Sequence, residues 1–137
     1  MIHLDSLRSM QDLLRDCHVI AVVGLSPKAD RPSFRVARYL QQAGFDIVPV
    51  NPGQSEILGR PCYPDLRSIP GPVDLVDVFR RAEETPPIAR DAVAIGARGL
   101  WLQQGIVSEE AERIAREGGL AVVMDRCLMV EHQRLFS

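Results

Sequence analysis

Residues 18–40, His-Val-Ile-Ala-Val-Val-Gly-Leu-Ser-Pro-Lys-Ala-Asp-Arg-Pro-Ser-Phe-Arg-Val-Ala-Arg-Tyr-Leu, leave the chain few options. Val19 to Val23 is an unbroken, mostly β-branched apolar run, which suits a strand buried on both faces in a parallel sheet. Gly24 ends the run, and a short loop of small, polar and proline residues follows. Pro32 fits the first turn of a helix, where its missing N–H costs nothing. Beyond it Val36, Ala37, Leu40 and Ala43 recur at helical spacing, with Arg35, Arg38 and Gln42 between them. Strand, glycine turn and helix together form the opening unit of a nucleotide-binding α/β domain, with unpaired helix N–H groups facing the loop.

The remaining segments extend that unit. Leu4 to Asp16 is expected to be a short helix, with Asp5 or Ser6 as cap and Leu7, Met10 and Leu14 on one face. Phe45 to Val50 is a second strand, closed by Asn51-Pro-Gly turn chemistry. Ser55 to Ile69 is a proline-rich connector with room for one turn of helix. Val73 to Phe79 is a third strand that carries Asp74 and Asp77, of which Asp77 is expected to hydrogen-bond loop N–H groups. Thr85, read as a cap before Pro86, opens a helix that runs to Gly99. Leu100 to Leu102 is a fourth strand. Ser108 caps the next helix, with Glu109 and Glu110 at the positive end of its dipole and Ala111, Ile114 and Ala115 inward. Leu120 to Met124 is a fifth strand, and a last helix passes through Leu128, His132 and Leu135.

Strict alternation of strand and helix predicts an α/β fold: a doubly wound, parallel, five-stranded sheet with flanking helices and right-handed crossovers. The expected strand order is 3-2-1-4-5, in one domain over residues 1–137 with residues 1–16 packed on it as the N-terminal helix. At 46% apolar and 25% charged residues the chain has an ordinary globular composition. A net charge of −2 with mixed signs gives no electrostatic case for nucleic acid or a membrane surface. No apolar stretch reaches the length of a membrane span, and no signal-peptide core stands at the N-terminus. Cys17, Cys62 and Cys127 suit neither a disulfide framework nor a metal pattern, so a cytoplasmic setting is expected.

Ligands of such sheets bind outside the carboxyl ends of the strands, where the winding reverses. That rim offers Gly24, Ser26 and Lys28, then Asn51 and Pro52, then Phe79, Arg80 and Arg81, then Gln103 to Gly105, and Asp125 to Cys127. It is cationic and amide-rich, so an anionic ligand is expected, with Arg80 rather than Arg81 facing it. The glycine fingerprint of dinucleotide sites is incomplete, because Ser26 stands where the second glycine belongs. Asn51 stands where an NAD site needs a carboxylate. With Lys28, Arg31 and Arg35 nearby, the site is suited to an additional phosphate, which leaves NADP or coenzyme A. Ser26 and Ser33 read equally well as caps or as phosphate ligands. Cys127, near a helix start, is the rim thiol.

Five motifs then carry a resemblance: Val22-Val-Gly-Leu-Ser-Pro, Val48-Pro-Val-Asn-Pro-Gly, Val76-Asp-Val-Phe-Arg-Arg, Leu100-Trp-Leu-Gln-Gln-Gly-Ile and Met124-Asp-Arg-Cys. With these the chain resembles, from Cys17 to about Arg134, the small stand-alone CoA-binding proteins. Their domain is also the N-terminal domain of the succinyl-CoA synthetase α subunit. The resemblance implies a Rossmann-like fold that binds coenzyme A or an acyl-CoA. It places the pyrophosphate on Gly24, Leu25 and Ser26 and the helix end, with Lys28, Ser33 and Arg35 beside them. It places the adenosine near Asn51 and Pro52, and a wall of Val78, Phe79 and Arg80, with Gln103 beyond. The synthetase's catalytic histidine belongs to a further domain, and His3, His18 and His132 have no companion nucleophile and acid. No catalytic residue, no metal and no chemistry of its own are therefore expected. The alternatives are a small NADP-linked oxidoreductase and a CoA-sensing regulatory module. The apolar flanking helices would allow a homodimer or a protein partner.

Overall fold

A computed structural model describes residues 7–136, with side chains from Ser9 onward. The expected helix start at Leu4, its caps Asp5 and Ser6, the side chain of Leu7, and His3 lie outside the described residues. Helix α1 spans Leu7–Arg15, and β1 covers Val19–Val23 as the apolar run requires. Helix α2 spans Pro32–Gln42, with Pro32 in its first turn and Val36, Ala37 and Leu40 buried, while Ala43 has left the apolar face as an exposed C-cap. Strand β2 is Asp46–Val50. The connector carries a two-stranded antiparallel hairpin, β3 (Glu56–Ile57) and β4 (Arg60–Pro61), and one 3₁₀ turn at Leu66–Ser68. Then come β5 (Leu75–Val78), α3 (Thr85–Ala94), β6 (Gly99–Leu102), α4 (Glu109–Glu117), β7 (Ala121–Val123) and α5 (Leu128–Phe136).

The five long-range strands form one parallel sheet in the order β2-β1-β5-β6-β7. Counted along the chain this is 2-1-3-4-5, which corrects the expected 3-2-1-4-5. Pro49 supplies one physical reason: it has no N–H for a further strand, so β2 belongs at the edge. Tyr63 bridges that outer edge, its N–H bonding the Pro49 carbonyl at 3.0 Å. The other reason is Asp74, whose carboxylate accepts the N–H groups of His18 (2.8 Å) and Val19 (2.9 Å) and so seats β5 beside β1. Burial pushes the Asp74 carboxyl up, but those bonds and the Arg98 guanidinium outweigh it, and its pKa lies below the ordinary value.

Strand side chains alternate between two cores. Ile20, Val22, Ile47, Leu75 and Trp101 pack under α1, α2 and α5, against Met10, Leu14, Leu40 and Leu128. Ala21, Val23, Val76, Val78, Leu100 and Leu102 pack under α3 and α4, against Ala89, Ala92, Ala111 and Ala115. Ser108 caps α4 as expected, its hydroxyl accepting from Ala111 N–H. Thr85 does not cap α3; its hydroxyl donates to the Ala82 carbonyl at 2.6 Å, and the helix ends at Ala94, before the expected Gly99.

Asp77 departs furthest from expectation. It lies in register between Val22 of β1 and Trp101 of β6, fully buried, and neither carboxylate oxygen has a hydrogen-bond partner. The loop N–H groups expected of it are held by Asp74 and by Asp125, which accepts from Gly105 N–H at 2.7 Å. Burial drives the Asp77 carboxyl well above its usual range, which favours its neutral form in the folded domain.

An acid with a raised folded pKa binds more protons folded than unfolded once the pH passes the unfolded carboxyl value. Stability from this group is therefore lost as the pH rises, at about 1.4 kcal/mol per unit while only the unfolded form is ionised. Replacement Asp77→Asn removes the titration and keeps the shape. The expected outcome is a variant that gains stability over the parent between pH 5 and pH 8, measured as melting temperature. Parallel curves would refute a neutral Asp77.

Candidate functional site at the β1–β5 crevice

With the order 2-1-3-4-5 the winding reverses between β1 and β5, and three adjoining pockets open there along the carboxyl ends. The middle pocket, about 300 Å³, is lined by Gly24, Ser26, Arg31, Pro32, Ser33 and Phe79. On the β2 side lies one of about 230 Å³, walled by Val50, Pro52, Pro64, Leu66 and Ile88 with Asp65 and Asp91. On the β6 side lies the largest, about 700 Å³, with Val36, Phe79, Gln103, Ile106 and Cys127 among its walls. Phe79 and Pro32 are shared by the middle and large pockets, and Arg80 by the two outer ones.

Gly24 makes this junction. Its φ is +86°, and a Cβ there would lie 2.5 Å from the Phe79 carbonyl oxygen and 2.9 Å from Arg80 Cδ. The backbone that approaches Gly24 is therefore that of the chain leaving β5. Its N–H is also engaged, donating to Val50 O at 2.9 Å. Donors for an anion come from the next residues. Ser33 Oγ accepts the N–H of Ser26 at 3.0 Å, and Ser26 Oγ accepts that of Lys28 at 3.1 Å. Each serine thus braces the loop and keeps its O–H as a donor. In the first turn of α2, Pro32 has no N–H, and those of Phe34 and Arg35 bond the Arg31 carbonyl. Among the described residues the N–H of Ser33 has no partner, at the positive end of the helix.

The remaining predicted residues divide by position. Pro52, Phe79, Arg80 and Gln103 line the crevice. Leu25 and Val78 are fully buried and present no side chain to it. Asn51 is a brace: its Nδ2 donates to Leu25 O at 3.0 Å, and its Oδ1 accepts from Gly53 N–H at 2.9 Å. Arg35 is exposed and holds the Asp30 carbonyl at 2.8 Å. Lys28 and Arg31 are exposed and carry no ion pair among the described residues. The rim is less cationic than its composition suggests, because Arg80 bonds Glu84 at 2.6 Å and Arg81 bonds it at 2.9 Å. Those bonds hold the Glu84 carboxyl below its usual range. Residues missed by the sequence reading, Pro64, Asp65, Leu66, Ile88 and Asp91, come from the connector and α3. The clustered connector prolines were the available signal.

Cys127 faces the large pocket, whereas Cys17 is buried and its thiol is pushed up to about 12 by burial, with Asp74 adding to the effect. His132 lies away from the crevice: Nδ1 meets the Tyr39 hydroxyl at 2.7 Å, and the ring stacks on Phe136.

A family model described as a CoA binding domain matches residues 18–133. The chain belongs to this CoA-binding family. The domain is 42% identical over 127 residues to the uncharacterized protein YneT of Bacillus subtilis, covering 93% of this chain and 94% of that one. A hypothetical protein from Pyrococcus horikoshii superposes with a TM-score of 0.94 at 38% identity, over 96% of this chain and 93% of the other. An ADP-forming acetate–CoA ligase of Archaeoglobus fulgidus is 33% identical over 96 residues, which are 69% of this chain but 14% of the ligase. The CoA-binding domain is thus homologous to a small part of that ligase. Among the described residues no helix is long and apolar enough to cross a membrane.

The contact at Gly24 makes a prediction about folding. Gly24→Ala places a methyl group against the Phe79 carbonyl at a backbone angle that L-residues avoid. The expected loss is about 2–3 kcal/mol, a fall of roughly 7–10 °C in melting temperature for a chain of this size. An unchanged melt would mean that β5 does not close on Gly24.

Proposed function

We propose that the domain binds coenzyme A or an acyl thioester of it along this crevice, without catalysis of its own. The observation that carries the reading is the convergence on one pocket of the unpartnered Ser33 N–H, the Ser26 and Ser33 hydroxyls and the unpaired Arg31. That set suits a pyrophosphate: neutral donors at a helix N-terminus plus one cation. The family match supplies the ligand class.

In this reading the adenosine takes the proline-walled pocket, between Pro52 and Pro64. The exposed Lys28 serves the additional phosphate, with Arg35 holding the loop that carries it. The pantetheine arm runs past Phe79 and Arg80 toward Gln103. Gly24, Leu25, Asn51 and Val78 contribute by shaping the crevice rather than by touching the ligand.

Thermal melting with ligands at equal concentration tests this. A ligand specific for the folded state at a hundred times its Kd stabilises by about 2.7 kcal/mol, a melting shift of roughly 9 °C here. CoA is expected to reach that shift, and NAD to give almost none. Dephospho-CoA is expected to give less than CoA, with the gap closing as salt is raised. A shift by NADP equal to that by CoA would favour the oxidoreductase reading. No shift by any nucleotide would end the proposal.

A further inference from the structure

Gln103 stands just beyond β6, is only 4% exposed and lines the large pocket. Its Oε1 accepts the N–H of Leu128, the first residue of α5, at 3.1 Å. A backbone N–H can only meet the oxygen of the amide, so this bond sets which end of the group points where. Among the described residues the Nε2 end has no hydrogen-bond partner. The bond to Leu128 fixes the amide and leaves its Nε2 as a donor available to a ligand in the cavity.

The charges around that cavity cancel. Arg80 and Arg81 face Glu84, and Arg81 also lies 3.5 Å from Glu83, so two guanidinium groups meet two carboxylates. Val36, Phe79 and Ile106 add apolar wall. The pocket therefore offers the oriented Gln103 amide donor, an apolar surface and guanidinium groups already ion-paired to carboxylates.

Resting on the CoA reading above, we infer that the large pocket receives an uncharged acyl group, with Gln103 Nε2 donating to the thioester carbonyl. The physiological ligand is then a neutral acyl-CoA rather than free CoA or a dicarboxylic acyl-CoA. Gln103 is the specificity-determining residue, and the α5 N-terminus is the part of the fold that orients it.

Calorimetric titration of the intact chain with CoA, butyryl-CoA and succinyl-CoA tests the inference. Butyryl-CoA is expected to bind about tenfold more tightly than CoA, the equivalent of about 1.4 kcal/mol from one hydrogen bond with the associated burial. Succinyl-CoA is expected to show no such gain. In Gln103→Met the ratio of butyryl-CoA to CoA affinity should fall toward one. Because Leu128 N–H loses its acceptor in that variant, Ile106→Phe provides a second arm that fills the pocket and leaves the Leu128 bond intact; its ratio should fall as well. Equal binding of CoA and butyryl-CoA by the parent overturns the acyl inference while CoA binding stands. A ratio unchanged in Gln103→Met also overturns it, since the amide would then face the pantetheine arm. Failure of all three thioester and thiol ligands to bind removes the CoA reading and this inference together.

Discussion

Strand β5 is held against β1 at both of its ends, and the rest of the domain is arranged about that seam. At the amino end the Asp74 carboxylate accepts two N–H groups from the start of β1. At the carboxyl end the Phe79 carbonyl closes on Gly24 so tightly that a Cβ would stand 2.5 Å away. Between them Leu75 to Val78 pair with Ile20 to Val23 in register. Hydrogen bonds to an ionised carboxylate are among the stronger ones a protein can make. Here two of them seat a strand that must travel across β1 from the far edge of the sheet.

Placing β5 beside β1 moves the reversal of winding to Gly24 and Phe79. The crevice opens there, and so the N-terminus of α2, the Ser26–Ser33 pair and Arg80 come to face one another. The glycine allows the close packing of the Phe79 carbonyl, which a Cβ would block. Its N–H is directed to Val50, and the donors for an anion stand on the neighbouring helix. Asn51 completes the arrangement by joining the ends of β1 and β2 through its amide.

The same central strand carries a cost in Asp77, a carboxyl group favoured in its neutral form and with no partner between Val22 and Trp101. Burying such a group costs on the order of 1–3 kcal/mol relative to an apolar side chain of like shape. It is surrounded by the core of Ile20, Leu40, Trp101 and Leu128.

The one-dimensional pattern was sufficient for the fold class and for the strands and helices of the main sheet, though not for the β3–β4 hairpin or the end of α3, because burial on both faces writes itself into runs such as Val19–Val23 and caps such as Ser108 act locally. It was also sufficient to bring Ser26, Ser33, Pro52, Phe79, Arg80 and Gln103 to one end of the sheet, since alternation of strand and helix puts every such residue at a carboxyl end. Strand order was decided only in three dimensions. Its clues, Pro49 in β2 and Asp74 before β5, act on partners distant in sequence. So were the individual roles. Whether Arg80 is free or paired, whether Asn51 meets a ligand or a loop carbonyl, and which end of the Gln103 amide remains open depend on neighbours 4, 26 and 25 residues away. Periodicity reports which face a residue occupies; it carries no information about the partner that has already claimed its hydrogen bonds.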